Sequence, residues 1–128
     1  MTALFFGLLI GLQVKHFVAD YLLQPGWILA GKGDITKLGG YAHAATHAVL
    51  SAVLLLAFQT PLAVVAMIFA VEFVVHYVLD YAKIMYSHGV HVDRHPARFW
   101  ALHGVDQLAH QLTYAGMIYW VLAARGLA

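Results

Sequence analysis

From Ala48 to Val71 the chain carries no charged side chain, and no other feature limits its fold as strongly. The run is longer than the roughly 20 residues a helix needs to cross a bilayer. Gln59-Thr60-Pro61 divides it, because proline cannot continue a helix but is tolerated where one begins. The stretch therefore reads as the end of one helix, a tight turn and the start of an antiparallel partner. Composition agrees. Of 128 residues, 62% are apolar and 10% charged, against about 45–50% and about 25% in an ordinary soluble domain. So few charges cannot clothe a water-facing surface. A mean hydropathy of +0.77, with three Trp and seven Tyr, excludes disorder, low complexity and collagen. The expected architecture is all-α, a single integral membrane domain over residues 1–128.

Helices are predicted at about 3–24, 38–58, 62–85 and 99–123, giving a four-helix transmembrane bundle that runs up, down, up, down. The first apolar stretch has no basic residue before it and no small-x-small cleavage site after it, so it reads as a span and not a signal peptide. Gly26, Gly31, Gly33, Asp34, Gly39 and Gly40 predict a loop between the first two helices, with Trp27 as an interfacial anchor. Tyr86 to Arg98 reads as a second polar loop. Lys32, Lys37, Arg94 and Arg98 lie in these loops, with Lys15 and Lys83 on the helix turns leading to them. The opposite side shows only Arg125 and the amino terminus. The positive-inside rule places both loops in the cytoplasm and both termini across the membrane.

Nine His and six Asp or Glu are a large polar inventory for so apolar a chain. Residues four apart share a helix face, and on that spacing each helix has one polar stripe. The stripes are His16, Asp20 and Gln24; His43, His47 and Ser51; Glu72, His76 and Asp80; and His103, Asp106 or Gln107, His110 and Thr113 or Tyr114. They come late in the first and third helices and early in the second and fourth, so alternating directions bring all of them toward the cytoplasmic end. At about 1.5 Å of rise per residue, His16, His47, His76 and His110 sit roughly 12 to 17 Å inside that end. Asp20, His43, Asp80 and Asp106 form a layer nearer water.

Each acidic residue deep in a membrane costs on the order of 2.5 to 3.5 kcal/mol. Lys15 and Lys83 are expected to snorkel to the interface, which leaves a cation between the helices to satisfy carboxylates and imidazoles together. With no Cys, its ligands must be nitrogen and oxygen, a set that suits Zn, Mn or Fe. The predicted metal ligands are His16, Asp20, His43, His47, His76, Asp80, Asp106 and His110, holding one or two divalent ions. A lone intramembrane His or Asp is ordinarily a helix-to-helix hydrogen bond; the matched spacing and depth of all eight distinguish the set. His88, His91 and His95 lie in a polar loop and need no such explanation.

Other chemistries fail on their motifs. Gly26 to Gly33 reads G-x-x-x-x-G-K-G, but Gly33 stands where a phosphate-binding loop needs Ser or Thr, and no strand precedes it. There is no H-E-x-x-H and no G-x-S-x-G. Soluble di-iron bundles use Glu-x-x-His, three apart, whereas the pairs here are four apart. A net charge of +1 without a basic stripe argues against nucleic acid.

At His16-Phe17-Val18-Ala19-Asp20-Tyr21-Leu22-Leu23-Gln24, His43-Ala44-Ala45-Thr46-His47, His76-Tyr77-Val78-Leu79-Asp80-Tyr81-Ala82-Lys83 and Asp106-Gln107-Leu108-Ala109-His110, the chain resembles a family of small bacterial and phage inner-membrane proteins of unknown function. The resemblance covers nearly the whole chain and implies a multi-pass protein of the bacterial inner membrane. The Thr46-His47 pair also resembles a short motif of membrane-bound metal-dependent hydrolases. That likeness implies hydrolysis of a membrane-embedded or amphiphilic ester, with His43, His47, His76, Asp80, Asp106 and His110 as ligands and His16 and Asp20 completing the site.

The leading expectation is a metal centre that activates water to hydrolyse a lipid-linked ester or phosphoester, since metal-bound water can reach a pKa near 7. Asp80 and Asp106 would be needed for turnover, Glu72 or an unligated carboxylate would be the base, and Arg94 or Arg98 would hold a phosphate. The partner is then a membrane lipid or lipid-linked substrate; assembly into a homo-oligomer is compatible with the sequence. Two rivals use the same residues. Facing His pairs would ligate haem in an electron carrier, although haem needs no such set of carboxylates. The other rival is a transport or interaction subunit, in which a proton or metal-ion pathway would oligomerise or show a second polar layer across the bilayer.

Overall fold

The computed structural model describes residues 1–128, which form helices and no strand. Helix α1 (Thr2–Phe17) continues into a π-helical turn, Val18–Leu22. A short α2 (Gly26–Gly31) precedes three long helices, α3 (Leu38–Ala57), α4 (Leu62–Ser87) and α5 (Pro96–Ala124). In space α1 lies beside α3 and α5, and α4 beside the same two, so the four long helices close a ring. Residues 2–22, α3 and α4 are each long and apolar enough to cross a membrane. The 29-residue α5 falls short on composition, because His103, Asp106, Gln107, His110 and Gln111 dilute its apolar residues.

Local chemistry sets the helix ends. Pro61 stands immediately before α4, and Gln59 takes the left-handed conformation at φ 55° that reverses the chain after α3. The Arg125 guanidinium donates to the Phe58 carbonyl, tying the end of α5 to that turn. Pro96 occupies the first turn of α5, where its fixed φ suits a helix start and its missing N–H costs nothing. The helix thus begins ahead of the expected Phe99 and takes Arg98 out of the loop.

The glycine-rich segment between α1 and α3 corrects the prediction of a plain loop. Gly26–Gly31 is helical, and it packs backbone to backbone on α3. A Cβ at Gly39 would stand 2.6 Å from the Ile28 carbonyl and 2.8 Å from Gly31 Cα, so only glycine allows this approach. Asp34 then accepts hydrogen bonds from the amide and hydroxyl of Thr36, which hold its carboxyl below the usual carboxylate range and order the entry to α3.

One end of the ring is apolar. Leu8, Leu12, Leu55, Val65, Ile68, Met117, Ile118 and Val121 form a continuous core, drawn from the starts of α1 and α4 and the ends of α3 and α5. The buried Lys15, His16, His43, His47, His76, Asp106 and His110 fill the other end, with Ser51 and Glu72 nearer the middle and Thr60 in the turn between α3 and α4. The outer surface is apolar: Phe6, Ile10 and Val14 on α1, Val49 and Val53 on α3, Val71, Val74 and Val78 on α4, and Leu108 and Leu112 on α5 are exposed. That polarity inverts the soluble pattern, in which large contiguous apolar surface is rare.

Candidate metal centre

The π-helical turn carries Asp20 to the inner face of the ring. Its wider hydrogen bond, Leu23 N–H to the Val18 carbonyl, belongs to a geometry found mostly as single turns at functional sites. One carboxylate oxygen, Oδ1, lies 3.0 Å from His47 Nε2 and 3.1 Å from His43 Nε2. The other, Oδ2, lies 3.2 Å from His16 Nε2. Asp80 on α4 faces the same cluster, with Oδ2 at 3.5 Å from His43 Nε2 and 3.7 Å from His76 Nε2. Its Oδ1 is 3.8 Å from His110 Nε2.

The imidazoles are held so that Nε2 points inward. His110 Nδ1 lies 2.8 Å from the Asp106 backbone carbonyl. A carbonyl only accepts, so Nδ1 carries the proton, which leaves Nε2 as the ligand atom of the neutral ring. That nitrogen has no hydrogen-bond partner, nor do Nε2 of His43 and His76, and all three residues are at most 3% exposed. A buried polar atom left unpaired costs about 1–3 kcal/mol. Two ligands each about 2.1 Å from one tetrahedral ion stand roughly 3.4 Å apart, and the 3.0 to 3.8 Å separations bracket that value. Asp20, His43, His47 and His76 each offer a donor atom within 4.8 Å of the others, and His76, Asp80 and His110 form a second such group. These buried groups could hold a metal ion. They leave no slot for haem, since the His47 and His76 rings stack at 3.7 Å and those of His76 and His110 meet at 4.3 Å.

Residues 8–125 match the family described as Protein of unknown function (DUF3307). The chain belongs to that family. No curated protein and no solved structure matches it.

In this DUF3307 member the carboxylates are compensated differently from the sequence expectation. Lys15 does not snorkel: it is 6% exposed and pairs with the buried Glu72. Its long side chain crosses from α1 to α4, and its Nζ also lies 3.4 Å from His47 Nδ1. Lys32, at the end of α2, is 2.8 Å from Asp80, and Lys83 is 2.7 Å from Asp106. Lysines thus offset three of the four carboxylates, Glu72, Asp80 and Asp106, and Asp20 alone depends on imidazoles. The unpaired imidazole nitrogens, and not the carboxylates, are the groups that a cation would satisfy.

Several predicted residues fall outside the two ligand groups. Glu72 faces Lys15 and not a ligand atom. Asp106 accepts from Lys83 and from Gln107 Nε2, the latter at 3.1 Å, and steadies His110 through its carbonyl. His16 touches Asp20, and its Nδ1 lies 2.8 Å from the Tyr114 hydroxyl. Tyr114, not Thr113, therefore completes the α5 stripe; the Thr113 hydroxyl donates to the Ala109 carbonyl. Arg94 and Arg98 are exposed and line no part of the polar cavity beside the cluster. That cavity, of about 320 Å³, is bordered by Asp20, Lys32, Asp80, Lys83, His103 and Asp106. Its cationic residues are the two lysines, Lys32 and Lys83.

Proposed function

We propose that the chain is a four-helix integral protein of a bacterial inner membrane whose buried cluster binds a divalent cation, Zn, Mn or Fe, and hydrolyses an ester or phosphoester of a membrane lipid or lipid-linked compound. The convergence of the unpaired Nε2 atoms of His43, His76 and His110 carries the metal assignment. Reading α5 as the fourth span rests on its outward face, where Trp100, Val105, Leu108, Leu112 and Tyr119 are exposed while Asp106 and His110 turn inward. The well-packed apolar end of the ring supports an enclosed site over a pore. Reporter fusions at residue 35 and at the C-terminus are expected to mark the first as cytoplasmic and the second as periplasmic; the reverse result inverts the orientation.

A bound divalent ion would supply a water nucleophile at neutral pH, a role no Cys fills here. The chain's own residues would do the rest. The polar cavity shares Lys83 and Asp106 with an apolar cleft between α4 and α5, of about 180 Å³, bordered by Leu79, Tyr86, Leu102 and Val105. An amphiphile fits this pair, its anionic head beside Lys32 and Lys83 and its chain in the cleft. Asp106, outside both ligand groups and lining the cavity, would take the proton from water.

Purified protein in mixed micelles, supplied with a panel of phospholipid and lipid-ester substrates, tests the proposal. Turnover is expected to stop with a chelator and to return with added metal. Lys83→Met should lower phosphoester turnover roughly 10- to 100-fold, the worth of a hydrogen bond to a charged group. Arg98→Ala should leave it unchanged. Chelator-insensitive turnover, or none across the panel, overturns the hydrolase reading.

A further inference from the structure

The geometry points to a two-metal centre bridged by Asp20 and Asp80, an inference that rests on the metal reading above and fixes its nuclearity. Each carboxylate faces two different sets of imidazoles. Asp20 Oδ1 meets His43 and His47, while its Oδ2 meets His16. Asp80 repeats the pattern, with Oδ2 toward His43 and His76 and Oδ1 toward His110. One ion would lie among His43, His47 and His76, and the second between His16 and His110. Each would take one oxygen from each aspartate.

All five histidines present Nε2 to the aspartates, although His16 Nε2 also lies 3.2 Å from Gln107 Oε1 and must give up that contact to bind an ion, and the two assigned to the second ion are oriented from behind. The Asp106 carbonyl fixes His110 through Nδ1, and the Tyr114 hydroxyl contacts His16 Nδ1. Partners of this kind set the tautomer and direction of metal-bound imidazole. His110 Nε2 faces Asp80 Oδ1 at 3.8 Å without a hydrogen bond. A cation between them would coordinate both.

Lys32 competes for this arrangement, because its Nζ pairs with Asp80 Oδ2. The cavity beside it gives the side chain room to turn away. Two divalent ions carry twice the charge that the two bridging carboxylates offset, so the loaded centre favours an anion in the cavity. Paired metals acting together clamp the attacking and leaving oxygens of a phosphoester. The substrate class this assigns is a phosphoester in preference to a carboxylic ester.

The test uses the full chain in detergent, stripped with a chelator, reloaded with Mn²⁺ and desalted. Metal content by mass spectrometry is expected at two Mn per chain, with an exchange-coupled electron paramagnetic resonance spectrum. His16→Gln and His110→Gln are each expected to halve the content and give the spectrum of an isolated ion. One Mn per chain in the wild type, with an isolated-ion spectrum, overturns the two-metal centre and leaves the single-ion reading standing. No retained Mn overturns both. The wild-type stoichiometry decides the matter even where a variant fails to fold.

Discussion

A Lys15→Met chain should unfold far more readily than the wild type, and adding Glu72→Leu should restore most of the loss. Lys15 and Glu72 are 6% and 1% exposed and pair with one another inside the ring. Methionine keeps the length of the side chain but strands the Glu72 carboxylate, and breaking a buried pair this way costs about 3–5 kcal/mol. Replacing both partners with apolar residues of similar size removes the uncompensated charge, and such exchanges are often neutral. Denaturant unfolding in micelles, followed by circular dichroism, reads both variants. Equal losses in the single and double variants would show that packing, and not the stranded charge, dominates.

The sequence made the polar stripes legible because a helix repeats its faces every three to four residues. His43 with His47, and His76 with Asp80, could be placed on inner faces without coordinates. Pro61 likewise marked the turn between α3 and α4, and alternating helix directions implied that the stripes would share one end. What spacing cannot give is the partner of a long flexible side chain. Lys15, Lys32 and Lys83 each reach a carboxylate on another helix, and such choices depend on the three-dimensional neighbourhood. The π-helical turn at Asp20 was invisible for another reason, since a shifted backbone hydrogen bond leaves no mark in residue type. Helix α2 was hidden because it depends on the tertiary contact of Gly31 with Gly39, while glycine in isolation reads as a loop. Charge and position alone mark Arg94 and Arg98 as anion binders, yet the folded chain leaves them exposed and turns lysines to the cavity.

Asp20→Ala should weaken metal binding on the order of 100-fold or more, because loss of even an outer-shell partner costs about 10- to 100-fold and Asp20 touches three imidazoles directly. Competition with a chromophoric chelator measures that loss. The variant also removes the only carboxylate of the cluster that no lysine offsets, so it separates metal binding from the ion pairs around it.

Zinc K-edge X-ray absorption on the zinc-loaded, desalted wild-type chain tests the metal centre most directly. The expected spectrum has a first shell of nitrogen and oxygen alone at roughly 2.0 to 2.2 Å, with outer-shell scattering from several imidazoles that diminishes in His43→Gln and His76→Gln. Zinc that washes away on desalting, or a shell of oxygen alone without imidazole scattering, would contradict the account and return the cluster to a network of hydrogen bonds between helices.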